Sequence, residues 1–304
     1  MKRRVAIVGA GVSGLTCAVV FAEAGFETQI FAAEPPAETT SAVAAAMWFP
    51  YDAEPADKVI PWALETYETF RVLSGDPATG VSMIELRQFC RTEKLEVPSW
   101  AEPLNARSTT SNEFVMTVPL SDSSIYLGYL QKRLARAGGK LTTGVRFEKP
   151  EEIDPAFDVV VNCAGIGARS LVRDPDLEPH RGQVVLVPKL DLPGAVVCDD
   201  PPLMYAIPRT NDCILGGTNE VSDDLRADPA VTVAIISECS AVLKIPPPPI
   251  VATRVGLRPY RKSGVRVEAG RMTDGRTIIH NYGHGGAGFT LSWGCAQAVL
   301  ELAL

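Results

Sequence analysis

Apolar and polar positions along the chain follow two regimes. At the start, 4–8 is a short apolar run that reads as a strand, 12–24 reads as a helix with Gly25 suited to cap it, and 27–32 reads as a second strand. Strand, loop, helix, strand is a βαβ opening, so a parallel sheet is expected to begin here. Residues 57–73 form an amphipathic helical pattern, with Trp62 and Tyr67 among its apolar positions. The middle changes character. Segments 81–89, 114–120, 183–187, 195–198, 203–207 and 213–216 read as short strands broken by Pro, Gly and Asn, the pattern of an antiparallel sheet. Between them, 124–137 reads as a helix and 157–162 as a largely apolar strand of the parallel type. The end returns to the first regime: strand 277–280, a glycine loop, then a helix over about 290–302.

The chain therefore crosses between two lobes more than once. A nucleotide lobe takes the beginning, part of the middle and the end, and an antiparallel lobe lies between these pieces. Pro246 to Pro249 reads as a stiff connector. With 304 residues, two lobes or one large α/β unit are expected.

Composition narrows the function. Hydrophobic residues make up 46% and charged residues 21%, as in a soluble globular enzyme. A formal net charge of −7 with no long basic run argues against nucleic acid and against an anionic membrane surface. No apolar stretch reaches the roughly 20 residues that cross a bilayer. The basic start Lys2-Arg3-Arg4 precedes too short an apolar run for an export signal. Seven cysteines lie dispersed at 17, 90, 163, 198, 213, 239 and 295, without a C-x-x-C pair. That is no disulfide framework, and a reduced, cytoplasmic protein is expected.

Gly9-Ala10-Gly11-Val12-Ser13-Gly14 follows the first strand and opens the first helix, the context a dinucleotide loop needs. The first glycine permits a tight turn, the second lets pyrophosphate approach the backbone, and the third lets helix and strand pack closely. Free N–H groups and the helix dipole then face the phosphates. Glu34, about 20 residues after Gly14, can accept from the adenosine ribose hydroxyls. This loop alone does not choose between NAD and FAD.

A second glycine loop, Gly283-His284-Gly285-Gly286-Ala287-Gly288, precedes the final helix. Four glycines in six positions are costly unless the backbone approaches something closely. His280 and His284 could be read as metal ligands, but they would not share a helix face and His180 is the only other histidine. No metal is expected. An anion site at a second helix entrance is the better reading, because a reduced flavin carries negative charge on its pyrimidine ring. FAD thereby overtakes NAD.

The segment from Ile279 to Ala296, with His280-Asn281-Tyr282-Gly283-His284-Gly285-Gly286-Ala287-Gly288-Phe289-Thr290 at its heart, resembles the signature of the D-amino acid oxidase and D-aspartate oxidase family, here in bacterial form. Further segments resemble the same family in the same order: Val8 to Leu15, Thr39 to Trp48 with Pro50-Tyr51, Val161-Asn162-Cys163-Ala164-Gly165, Arg181-Gly182-Gln183 and Gly256-Leu257-Arg258-Pro259. The resemblance spans nearly the whole chain. It implies an α/β fold: a Rossmann-like FAD-binding domain over 1–76, 122–178 and 254–304, and a mainly antiparallel substrate-binding domain over 77–121 and 179–253.

The resemblance also implies roles. Gly9, Ala10, Gly11, Val12, Ser13, Gly14 and Glu34 match the positions that bind the FAD diphosphate and ribose, although strict register puts Ala33 at the acid's place. Thr40, Ser41, Ala45, Ala46 and Met47 match the stretch against pyrophosphate and flavin, and Val145 and Ala164 match positions near the adenosine. Gly285, Gly286, Gly288, Phe289 and Thr290 match the loop at the flavin's pyrimidine end. Arg258 resembles the arginine that binds the substrate carboxylate bidentately, Tyr205 a tyrosine that reaches the same carboxylate, and Gly286 the carbonyl that accepts from the substrate amine. A structural salt bridge is the plainer alternative for Arg258, and a half-buried strand tyrosine for Tyr205. Arg254 and Arg261 read as structural.

Some positions depart from the family. Pro201 stands where vertebrate members have a second active-site tyrosine, and the segment between Cys198 and Tyr205 is shorter, so a truncated lid and a more open pocket are expected. Phe49 replaces an amide side chain and Ala287 an aromatic one. Asp199 falls near where D-aspartate oxidases carry an arginine, which favours neutral or basic substrates. The implied chemistry is hydride transfer from Cα to flavin N5 with O₂ as acceptor, yielding a 2-oxo acid, ammonia and H₂O₂, and needing no side-chain base. A glycine or sarcosine oxidase and a D-aspartate oxidase are the alternatives within that chemistry. An NAD-dependent dehydrogenase and a non-catalytic flavin binder are the alternatives outside it. Partners are a small D-amino acid and O₂, and a homodimer is left open.

Overall fold

In the computed structural model, which describes residues 2–304, the chain builds two sheets. The first has six strands in the order Arg266–Arg271, Thr277–Tyr282, Val159–Asn162, Arg4–Val8, Glu27–Ala32 and Lys140–Thr143. All run parallel except the edge strand Arg266–Arg271. Val5, Ala6, Ile7, Val159, Val160 and Val161 are fully buried, which is why the two central strands read as continuous apolar runs. Helix Val12–Glu23 packs on Ser292–Ala303, which in turn packs on Ala56–Leu73. Chain order departs from the first strand to both sides, so a crevice forms beyond the strands' carboxyl ends, where open α/β sheets bind ligands.

The second sheet has nine strands, antiparallel apart from the pairing of Val81–Phe89 with Gly194–Cys198. Leu177–Pro188 is its longest strand and pairs with Asp212–Gly216, Glu220–Val221 and Ala252–Arg261. No helix among the described residues is long and apolar enough to cross a membrane.

The expected elements occur, most with ends shifted by one to three residues, and the strand expected over 183–187 starts earlier, at Leu177. Several elements were not anticipated, among them the short strands Arg107–Thr110, Lys140–Thr143 and Glu220–Val221. Helix Pro229–Leu243, whose first N–H groups Asp228 caps through Ala230, is rich in β-branched residues that blur its period. Arg266–Arg271 is a polar edge strand. Ala252–Arg261 carries Gly256 and Pro259, both poor strand residues. It pairs along its whole length with Leu177–Pro188, so residues 254–261, expected in the nucleotide lobe, lie in the antiparallel sheet.

A buried carboxylate fastens the two sheets together. Asp174 accepts from Arg261 Nε at 2.8 Å and from the Tyr282 hydroxyl at 2.7 Å, with Arg266 Nη1 at 3.7 Å. Arg261 ends a strand of the second sheet, while Arg266 and Tyr282 belong to the first. Burial pushes the Asp174 carboxyl up, but the hydrogen bonds from Arg261 and Tyr282 outweigh it and hold it below the ordinary carboxylate range. A depressed folded pKa stabilises fully above the unfolded value of about 3.9 and loses that contribution as pH falls through the folded one. Asp174→Asn should therefore lower unfolding stability by about 3 kcal/mol at pH 7, and the gap to wild type should narrow below about pH 4. Urea titrations of both proteins at several pH values measure this, and equal stabilities at pH 7 would show that the junction does not depend on the charge.

Candidate active site

One cavity of about 560 Å³ is lined by residues of both sheets, within the range of roughly 300–1,000 Å³ typical of small-molecule sites. Every position expected to hold cofactor or substrate lines it, apart from Gly14 and Thr290. A Cβ on Gly14 would overlap the Gly9 carbonyl, so this glycine serves helix–strand packing, as the motif requires. The Thr290 hydroxyl donates to the Phe49 carbonyl at 2.9 Å and accepts from its N–H at 3.1 Å. Thr290 thereby pins the entrance of the final helix to the segment before Tyr51 and spends its one hydroxyl proton there.

The loop Gly9 to Gly14 fits a dinucleotide. Gly9 takes a φ of +109°, open to glycine alone, and a Cβ there would strike the Cys163 carbonyl. A Cβ on Gly11 would meet only the Ser41 hydroxyl within 3.0 Å, so that backbone otherwise faces open cavity. Ser41 Oγ accepts from Val12 N at 2.9 Å, which takes up one of the N–H groups that a helix start leaves unpaired. No acidic residue stands in the first turn of Val12–Glu23 or of Ser292–Ala303 to oppose an anion. Glu34 lines the cavity with its carboxylate 2.9 Å from Arg146.

The final helix begins at Ser292, two residues later than expected, and the loop before it faces the cavity through Gly285, Gly286, Gly288 and Phe289. Side chains are excluded there. A Cβ on Gly285 would overlap the Asp52 carbonyl, and one on Gly286 would come within 2.6 Å of the Tyr51 ring. His284 Nε2 lies 3.0 Å from Asn281 Oδ1, and Asn281 Nδ2 donates to Cys17 Sγ at 3.1 Å. Burial pulls both His280 and His284 down to about 4, with Arg266 adding to the shift at His280, so both are neutral near pH 7. Their neutrality leaves the loop's own N–H groups as its positive feature.

Glycines of the second sheet clear room for two polar side chains. Arg258 leans over Gly182, where a Cβ would come within 2.6 Å of the guanidinium carbon. The ring of Tyr205 lies over Gly216 and Gly217, where a Cβ on either would run into it. Arg258 Nη1 donates to the Thr218 carbonyl at 2.9 Å, and no carboxylate among the described residues lies within ion-pair distance of it. Arg261, by contrast, is paired with Asp174. Burial raises the Tyr205 hydroxyl above its ordinary value, with Arg258 opposing. Burial raises Tyr51 too, with Arg258 opposing and Asp199 and Asp52 adding to the rise, so its hydroxyl senses charges of both signs.

Sequence reasoning gave no role to Tyr51, Gln88, Thr218 or Asn219. Asn219 Nδ2 lies 3.3 Å from the Tyr51 hydroxyl, and Gln88 Nε2 donates to Asp199 Oδ2 at 3.0 Å. The pair Gly216-Gly217 after an apolar strand was the available signal for a close approach. Gln88 looks like any strand residue until its neighbours are known. Residues 199–203 make the short connection between Gly194–Cys198 and Met204–Pro208, and Asp199 and Leu203 from it line the cavity.

Residues 4–302 match the FAD dependent oxidoreductase (DAO) family. A D-amino-acid oxidase of Rubrobacter xylanophilus is 40% identical over 99% of this chain and 95% of its own length. A D-amino-acid oxidase of Streptomyces coelicolor is 40% identical over 98% and 96%. In fold, the chain is similar to glycine oxidase from Geobacillus kaustophilus, with a TM-score of 0.79 at 19% identity over 99% of this chain and 95% of that one. Loop, cavity and lineage agree, and the chain belongs to the FAD dependent oxidoreductase family, with FAD as its cofactor.

Proposed function

We propose that this protein oxidises D-amino acids with neutral or basic side chains to 2-oxo acids, ammonia and H₂O₂, using O₂. The observation that carries the reading is the Arg258 guanidinium, which stands in the cavity beside Tyr205 without a carboxylate partner. A planar fork in that state is complementary to an α-carboxylate, which it grips bidentately while the Tyr205 hydroxyl donates to the same group. The Gly286 carbonyl accepts from the α-amine, and the three contacts together fix the direction of the Cα–H bond. When bound, FAD supplies the two-electron acceptor that takes the Cα hydrogen as hydride and hands the electrons to O₂.

Gly9, Ala10, Gly11, Val12 and Ser13, with Thr40 and Ser41, would hold the diphosphate. Glu34, Val145 and Ala164 would hold the adenosine, and Ala45, Ala46 and Met47 with Gly285, Gly288 and Phe289 would hold the flavin. Thr290 would act through its bond to Phe49. Burial keeps Tyr51 and Tyr205 protonated, so neither serves as a base at neutral pH. The D configuration rests on the names of the two bacterial relatives at 40% identity, and the preference for neutral or basic side chains on the Asp199 carboxylate that lines the cavity. We divide the chain into an FAD-binding domain over 1–76, 122–178 and 262–304 and a substrate domain over 77–121 and 179–261, the last boundary following the strand Ala252–Arg261. Seven free cysteines support a cytoplasmic location.

The purified protein should be yellow and should bleach anaerobically with D-alanine or D-norleucine, not with their L forms; bleaching by the L series alone would reverse the stereochemical reading. Arg258→Ala should lower kcat/KM for D-alanine by about a hundredfold or more, as breaking a buried charge pair costs about 3–5 kcal/mol. Near-normal turnover would remove Arg258 from the site. Tyr205→Phe should raise KM about tenfold, the effect of one lost hydrogen bond to a charged group, and unchanged steady-state kinetics would leave Tyr205 as a strand tyrosine only.

A further inference from the structure

The cavity holds a second charged group whose partner is missing. Asp199 lines it on the short connection after Gly194–Cys198, exposed to the cavity. Its one side-chain partner is Gln88, whose Nε2 donates to Oδ2 at 3.0 Å. Gln88 is 8% exposed and its Oε1 is buried without a partner. Turning the amide over would set two oxygens against each other, so the amide is oriented by the carboxylate at the expense of its own oxygen. The neighbouring Asp200 differs: its carboxylate accepts from Arg91 N at 2.8 Å and lies 3.6 Å from Arg91 Nη1. Arg91 also binds Glu238 at 2.7 Å, so its guanidinium is committed to other carboxylates. Arg258, across the cavity, is held by the Thr218 carbonyl.

Strand register fixes how these groups face each other. Gln88 stands opposite Val197, and Val197 opposite Tyr205, so the three share one row across three strands and one face of the sheet. All three line the cavity. Tyr205 reaches toward Arg258 at one end of that row, and Gln88 holds Asp199 at the other. The Tyr51 hydroxyl is close enough to feel both Arg258 and Asp199. The cavity is therefore bipolar, with a cationic and an anionic group separated by aromatic surface.

We propose that Asp199, oriented by Gln88, binds the distal cation of a long basic side chain, so that the preferred substrates are D-amino acids of the lysine and arginine type. The proposal rests on the reading of Arg258 as the α-carboxylate site. A substrate with its carboxylate on Arg258 and an extended aliphatic chain over the tyrosines offers its terminal charge to Asp199, which has no ion-pair partner among the described residues. Burial, and Asp200 beside it, raise the Asp199 carboxyl, the behaviour of a carboxylate short of positive charge. A bound ammonium or guanidinium supplies that charge.

The test compares D-lysine with D-norleucine, which has the same chain length without the terminal amine, on wild type and Asp199→Asn holoenzymes with equal flavin content. Wild type should favour D-lysine in kcat/KM. The variant should lower the D-lysine to D-norleucine ratio at least tenfold, mainly through the KM for D-lysine. A fall equal for both substrates would place Asp199 at the α-amine or in the fold and overturn the proposal. So would a ratio unchanged by the substitution while D-norleucine is oxidised normally. If wild type oxidises neither compound nor any other D-amino acid, the oxidase reading fails and takes this one with it. Gln88→Leu provides a second arm: its ratio should fall in the same direction, and no change would show that the amide does not orient the carboxylate.

Discussion

A guanidinium held in a cavity without a carboxylate is costly, and the substrate end of this protein is organised around that cost. Three other arginines with little exposure are fully engaged by protein. Arg181 binds the Asp224 and Arg226 carbonyls and Gln183. Arg209 binds both oxygens of Asp212 at 2.7 Å, and Arg261 binds Asp174. Arg258 has the Thr218 carbonyl and a long contact to Asn219. Its remaining N–H groups and its charge are left for a ligand, and an anion that enters gains what the protein withheld. The glycines at 182, 216 and 217 belong to the same constraint, because only missing side chains let the guanidinium and the Tyr205 ring lie flat against the sheet.

This arrangement needs the two sheets to keep their relation, since Arg258 comes from the antiparallel sheet and Gly286 from the loop leaving the parallel one. Asp174 with Arg261, Arg266 and Tyr282 secures that relation at the strand ends next to the loop. Gly283 has the Arg261 side chain against it, where a Cβ would come within 2.8 Å, so the glycine loop starts in direct contact with the clamp. Thr290 adds a second tie, from the loop's far side to Phe49 and hence to Tyr51. The loop is thus fixed at both ends while its middle presents backbone to the cavity, which suits a site that works by positioning rather than by proton transfer.

How much of this was legible in sequence depends on the length scale of each signal. The βαβ opening, its glycine loop and the last glycine loop are local patterns, and the structure places those residues along one cavity. Ser41 was visible because its segment resembles a family stretch, yet its bond to Val12 N spans 29 positions and no period announces it. Strand Ala252–Arg261 was hidden because Gly256 and Pro259 interrupt it, although Gly256 is needed where Thr40 and Val43 pack close. Gln88 and Asn219 join the site only through register and contacts between distant strands and loops, which their own positions in the sequence do not mark, whereas Tyr51 stood within a segment that resembles the family without a role of its own. The bond of the Thr290 hydroxyl to Phe49, 241 positions away, was not legible for a related reason.

The polarity of the cavity also bears on why the connection 199–203 is short. A long lid would cover the mouth with its own side chains and would have to bury Asp199 against them, a cost that rises steeply for an unpaired carboxylate. Leaving the connection short keeps Asp199 open to the cavity, while Gln88 holds it in place. On the proposed reading, recognition would rest on two charges and the distance between them, in place of a closing segment. A site built this way would discriminate chain length and terminal charge more than bulk, because a short connection offers little to exclude a wide side chain. On the same proposed reading, a short connection would leave the reacting atoms less shielded from water, so orientation by Arg258, Tyr205 and the Gly286 carbonyl would have to carry a larger share of the rate than desolvation.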